Sequence, residues 1–136
     1  MKSHETAIRL KRFQVDEKRQ QVSDLEAMID DFERIAADLD PQIETEQTRT
    51  GSTDVNHFAD STFAKAAIQR RDNLRASVDE LKGQLEAARD ALEESYEELK
   101  KAELMESREM ERNHEVTAVQ SQAVMGVAGV AMQRRR

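Results

Sequence analysis

Apolar residues recur along this chain at a spacing of seven. The first repeat runs through Ile8, Val15, Val22, Ile29, Ala36 and Ile43, with Leu25, Phe32 and Leu39 each three residues after a repeat position. The spacing returns at Leu74, Leu81, Ala88 and Ala102, now accompanied by Val78, Leu85, Leu92 and Leu99. Steps of three and four place such residues on one stripe of an α-helix, and a stripe that keeps a strict seven-residue period is a coiled-coil seam. If the chain folds back on itself, Ile43 meets Ala67, Ala36 meets Leu74, Phe32 meets Val78, Ile29 meets Leu81, Leu25 meets Leu85, Val22 meets Ala88 and Ile8 meets Ala102. Two heptad repeats pair everywhere once they pair anywhere. The information in this register is therefore that it leaves a turn of workable length and often sets a large residue against a small one. The pattern predicts an all-α fold: a long two-helix antiparallel coiled-coil hairpin followed by a weakly ordered C-terminal tail.

Helix one is expected over about residues 3–49, the turn over about 50–61 and helix two over about 62–115, so that the hairpin occupies 1–115. Each arm would span roughly 70 Å at 1.5 Å per residue. Gly51 can take the left-handed conformation past a helix end, and the small polar residues Ser52 to Asn56 favour a turn. Asp60 or Ser61 is a suitable N-cap for helix two. Pro41 predicts a bend or break in helix one, with Asp40 capping a fresh start. The segment 116–136 changes character: small apolar residues, two glycines and a closing Arg134-Arg135-Arg136. It reads as a flexible tail, with ordering on a partner or contact with a membrane surface as alternatives.

Charge bears on how the helices are oriented. The net charge is −7, but it is segmented. Residues 1–19 carry six bases and three acids, 24–46 one base and nine acids, 65–75 four bases and one acid, and 79–115 six bases and thirteen acids. In the hairpin register each basic block lies beside an acidic one, whereas a parallel homodimer would stack each block on its own like. Exposed pairs contribute little individually, so charge here selects orientation more than it stabilises. Lys11 and Lys18 fall at seam positions opposite Leu99 and Leu92, and Arg71 opposite Leu39; such side chains can lay their stems along the seam and keep their charge in water.

Ala, Glu, Lys, Leu and Arg make up 64 of 136 residues, a composition suited to long helices and ill suited to a large globular core. There is no Cys, hence no disulfide framework and no thiolate metal site, which fits a reducing compartment. Met1 to Phe13 lacks the apolar core of a signal peptide, and no stretch approaches the roughly 18 apolar residues of a membrane span. The acidic balance disfavours nucleic acid, whose phosphates require clustered bases. No nucleophile motif, Gly-rich phosphate loop or metal spacing is present; catalytic, cofactor-binding and metal residues are expected to be none. His4 and His114 are the only histidines the hairpin could bring near each other, at its open end.

Candidate sites are instead surfaces for partners. Phe58, Phe63 and Ile68, beside Arg70 and Arg71, make a mixed aromatic, aliphatic and basic patch near the turn. Arg9, Arg12 and Phe13, with Leu104 of helix two pointing outward, make a similar patch at the open end. Aromatic residues and Arg are favoured interface anchors.

The runs Ile8-Arg9-Leu10-Lys11-Arg12-Phe13-Gln14-Val15-Asp16-Glu17-Lys18-Arg19 and Phe63-Ala64-Lys65-Ala66-Ala67-Ile68-Gln69-Arg70-Arg71-Asp72-Asn73-Leu74 resemble the FliJ family. The likeness covers about residues 1–105, and its most distinctive part is Lys65 to Leu74. The resemblance implies a soluble, cytoplasmic component of the flagellar type III export apparatus, peripheral at the flagellar base. It implies a two-helix antiparallel coiled coil similar to the shaft of rotary ATPases, a monomer when free. Its implied partners are a hexameric export ATPase, the cytosolic part of the membrane export gate, and export chaperones. The ATPase end would correspond to Arg9, Arg12, Phe13 and the Leu99–Leu104 stretch, and the gate end to the start of helix two, with Phe63, Ile68, Arg70 and Arg71. A generic self-associating coiled-coil scaffold or tether is the alternative reading.

Overall fold

The computed structural model describes residues 2–49 and 62–134, with side chains described for 3–49 and 62–126. Two α-helices, α1 (Lys2–Arg49) and α2 (Thr62–Arg134), pack against each other as an antiparallel pair. Among the described residues there is no strand. Contacts divide the chain into two units, Asp16–Glu94 and Met1–Val15 with Ser95–Arg136.

The unit Asp16–Glu94 holds two apolar clusters. In one, Leu39, Ile43, Ala64 and Ala67 are buried together, and Ile68 and Leu74 pack against them. In the other, Ile29, Val78, Leu81 and Leu85 are buried, covered by Val22, Leu25 and Phe32. Ile43 and Ala67, Ile29 and Leu81, Leu25 and Leu85, and Phe32 and Val78 thus fall in common clusters, as the heptad register requires. Each fully buried Leu, Ile or Val contributes about 1.5–3 kcal/mol relative to exposure. Polar pairs agree with the same alignment: Lys82 Nζ lies 3.3 Å from Glu33 Oε1, and Asp40 receives both Arg71 and Arg75 across the interface.

Of the bend or break expected at Pro41, there is no break: α1 is continuous through it. Pro41 itself is exposed, while Leu39 and Ile43 on either side of it are buried. An interior proline costs about 3 kcal/mol; two neighbouring side chains worth about 1.5–3 kcal/mol each when buried offset that. Asp40, expected as a cap, serves instead as a cross-helix counter-ion.

The apolar repeat also extends one layer beyond Ile43. Ala64 is completely buried, and Glu46 is 9% exposed at the position three residues after Ile43. Arg49 Nη2 donates a hydrogen bond of 2.9 Å to Glu46 Oε1, so this carboxylate is paired where it leaves water.

In the unit Met1–Val15 with Ser95–Arg136, Ile8, Val15 and Ser95 are buried and Leu99 and Ala102 half-buried. Lys11 lies along this seam, half-buried, and its Nζ reaches Glu98 Oε2 at 2.9 Å. Helix α2 continues well past residue 115, to Arg134. From Met110 to Gly126 every described side chain is exposed. Five Val, Thr117, Ser121, Gly126 and Gly129 within 116–134 are together on the order of 5 kcal/mol poorer helix formers than Ala. This stretch therefore derives little stability from its own propensity, and its described side chains, 116–126, derive none from α1.

Candidate partner-docking surfaces

The residues of the open-end patch lie in the second unit described. Phe13 is 59% exposed and Leu104 52%, both large apolar side chains held out in water by rigid helix. Arg9 and Arg12 are exposed as well. Arg12 lines an open groove of ≈ 660 Å³ with Glu103, Glu106, Met110, Glu111 and His114. The basic side chain thus faces an acidic stretch of α2, and the groove as a whole is electronegative. Its volume is that of a small-molecule site, but its walls are long solvated side chains on two helices with no enclosing third element. Among the described residues no group of three or more His, Cys, Asp or Glu is placed to hold a metal ion. His114 lines this groove and His4 does not.

The turn-side patch is divided by the structure. Phe58 lies outside the described residues. Phe63 is 52% exposed and Arg70 is exposed, so both face outward. Ile68 instead packs onto the Leu39–Ile43–Ala64–Ala67 cluster. Arg71 is engaged too: its Nη1 donates to Asp40 Oδ1 at 3.1 Å and its Nε to Asp72 Oδ1 at 3.3 Å. The hydrogen bond to Asp40 is the main influence raising the Arg71 pKa, opposed by burial and helped by Asp72. Arg75 Nη2 completes the arrangement with 2.9 Å to Asp40 Oδ2. Asp40 thus bridges two arginines one helical turn apart on the partner helix, which is a structural clamp and not a free basic surface. Arg70 has a different neighbour: it shares a shallow groove with Phe32 of α1 and with Ala66, Gln69, Asn73, Leu74 and Ser77. Phe32 lies at the edge of the seam, packed against the Ile29–Leu81 cluster, and Leu74 is the one large apolar residue α2 contributes to this groove.

No described helix is long and apolar enough to cross a membrane. The class that fold and surfaces define is a two-helix antiparallel coiled coil bearing exposed aromatic and arginine side chains. No protein-family model, curated protein or solved structure matches the chain.

Proposed function

We propose that this chain is a non-enzymatic stalk and adaptor of the flagellar type III protein export apparatus. In this reading it seats in a hexameric export ATPase, links that ring to the export gate and to chaperones, and works in the cytoplasm at the flagellar base. The observation that carries the proposal is a two-helix coiled coil that leaves Phe13 and Leu104 in water in one unit and Phe63 in the other. Phe13 and Phe63 fall within the two runs, 8–19 and 63–74, that resemble the FliJ family. The mechanism is mechanical and allosteric: a helical pair bound asymmetrically in a ring favours the subunit conformations that fit it best. ATP hydrolysis belongs to the partner. Exposed aromatics and Arg9, Arg12 and Arg70 supply the anchors, while Ile68 and Arg71 serve the coiled coil itself.

The test is co-purification with the flagellar export ATPase, wild type beside an Arg12→Ala, Phe13→Ala variant. Both substituted residues are exposed, so circular dichroism should be unchanged. Binding that stimulates hydrolysis and weakens in the variant is the expected result. Absence of binding by a correctly folded wild-type chain would refute it.

A further inference from the structure

Ion pairs close one edge of the coiled coil in the unit Asp16–Glu94: Lys82 Nζ lies 3.3 Å from Glu33 Oε1, and Arg75 Nη2 lies 2.9 Å from Asp40 Oδ2. The other edge is built differently. There α1 carries Gln21, Met28, Ile35 and Gln42 at seven-residue steps, and α2 carries Ser77, Gln84 and Ala91, with Arg70 the one charge in either row. Met28 is 45% exposed and Ile35 36%. They are not scattered surface residues, because half-buried Leu25 and Phe32 stand three or four positions away and pack on the Ile29–Leu81 cluster. At 3.6 residues per turn, the apolar positions from Val22 to Ile35 cover an arc of roughly 140° with no polar residue of that stretch inside it. A two-stranded seam needs only a narrow stripe; one this wide suits a helix with two packing partners. Within the arc Ile29 and Ala36 are buried and Met28 and Ile35 are not. Phe32 forms one wall of the groove of ≈ 430 Å³ that it shares with Ala66, Arg70, Asn73 and Ser77.

We propose that this edge docks an amphipathic helix of another protein, one whose apolar stripe is flanked by Lys or Arg, making a three-helix bundle around residues 24–38. Charge selects the occupant. Asp24, Asp31 and Asp38 follow one another at seven-residue steps just outside Met28 and Ile35, all of them exposed, and Glu80 stands in the row outside Ser77 on α2. Asp31 has Arg34 at 3.4 Å, but both side chains are more than half exposed, and such a pair competes weakly with a partner's base. Asp24 accepts a hydrogen bond of 2.8 Å from the amide of Gln20, which brings no positive charge. A second copy of this chain would bring the same carboxylates to the edge with only Arg70 to oppose them, so charge rejects that occupant. Met28 and Ile35 would enter the partner's apolar stripe, and Phe32 offers an aromatic anchor between them. Arg70, exposed at one end of the groove, adds a place for a single partner carboxylate.

This inference does not rest on the export reading. It is tested on the full-length chain by fluorescence anisotropy with a labelled synthetic helix of about 21 residues, long enough to be helical in water. The peptide carries leucine along one stripe and lysine on its flanks, and a second peptide has glutamate in place of lysine. Met28→Gln, Ile35→Gln is the edge variant; both positions are exposed, so its circular dichroism should match the wild type. The lysine peptide should bind the wild-type chain at least about tenfold tighter than the glutamate peptide, and the edge variant should weaken it by about tenfold for each side chain replaced. An Asp24→Asn, Asp31→Asn, Asp38→Asn variant should lose the preference between the two peptides. A Glu33→Gln, Lys82→Gln variant alters the opposite edge without changing net charge, and should bind the lysine peptide within about twofold of wild type. Equal binding of the two peptides by the wild-type chain, or lysine-peptide binding indifferent to the edge variant, overturns the proposal. So does a mass that climbs with concentration from 15.6 kDa to twice that value in the wild type but not in the edge variant, since the occupant is then a second copy.

Discussion

Asp40 receives two arginines, and distance alone ranks them wrongly. Arg75 is nearer, at 2.9 Å, but it is 55% exposed; Arg71 lies at 3.1 Å and is 23% exposed. Water screens a charge pair far more effectively than a few tenths of an ångström strengthen it. Exposed pairs contribute about 0.2–1 kcal/mol, and hydrogen bonds to charged groups about 1.5–3 kcal/mol when well shielded. Asp40 is itself 43% exposed, which pulls the Arg71 pair down toward about 1 kcal/mol. The Arg75 pair should sit near the bottom of the exposed range, about 0.3 kcal/mol. Two double-mutant cycles, Asp40→Ala with Arg71→Ala and Asp40→Ala with Arg75→Ala, isolate the coupling energies from the other effects of each truncation. Urea unfolding followed by far-ultraviolet circular dichroism supplies the four stabilities of each cycle. A coupling for Arg75 equal to or larger than that for Arg71 would show that burial does not set the order, and the reasoning would fail.

Three further outcomes are expected. Leu81→Ala should cost about 2–4 kcal/mol in the same unfolding assay because Leu81 lies in the buried cluster with Ile29 and Leu85, whereas Met110→Ala, at an exposed site, should cost less than about 0.5 kcal/mol; equal losses would contradict the assigned seam. Pro41→Ala should stabilise the chain by about 1–3 kcal/mol, since Pro41 is exposed inside a continuous helix and contributes no packing to offset its missing donor; a destabilised variant would mean that proline is required for the local geometry. The Arg71 pKa is raised in the folded chain, so its contribution is complete below the ordinary arginine value and is lost only as pH climbs through the still higher folded value. The Asp40–Arg71 coupling should accordingly be the same at neutral pH and at about pH 10, and a fall between them would contradict the assignment.

The two helices and their register were legible because both repeats hold period seven over many turns, and a long periodic signal survives local irregularities. Intrinsic propensity at Pro41 favours a bend or break, but buried Leu39 and Ile43 on either side keep the helix unbroken. Ala64 and Glu46 were missed because a charged residue at a seam position fails a hydrophobicity test; the signal available was its spacing from Ile43. In the stretch after residue 115, Val and Gly argue against a helix on propensity alone, and no described side chain there packs against α1. Among the candidate surface residues, Phe13, Phe63 and Leu104 were recognisable as apolar residues off the seam. Arg71 was not recognisable as a clamp from its own neighbours in sequence. The register alone could have revealed it, by bringing Asp40 within one position of it on the facing helix.

Apolar heptads are nearly indifferent to a slip of seven residues, since Leu, Ile and Ala would still meet Leu, Ile and Ala. Asp40 is not indifferent. Displaced by one repeat in either direction, it would lie near Ala64 or Val78 in place of Arg71, and its carboxylate would lose a counter-ion while pressed toward an apolar seam. The polar exceptions along this interface thus act as a proofreading code: greasy layers supply most of the cohesion, and a few charged or undersized positions reject misaligned hairpins before they persist. Replacing those positions with leucine would make a stickier molecule that no longer knows its own alignment.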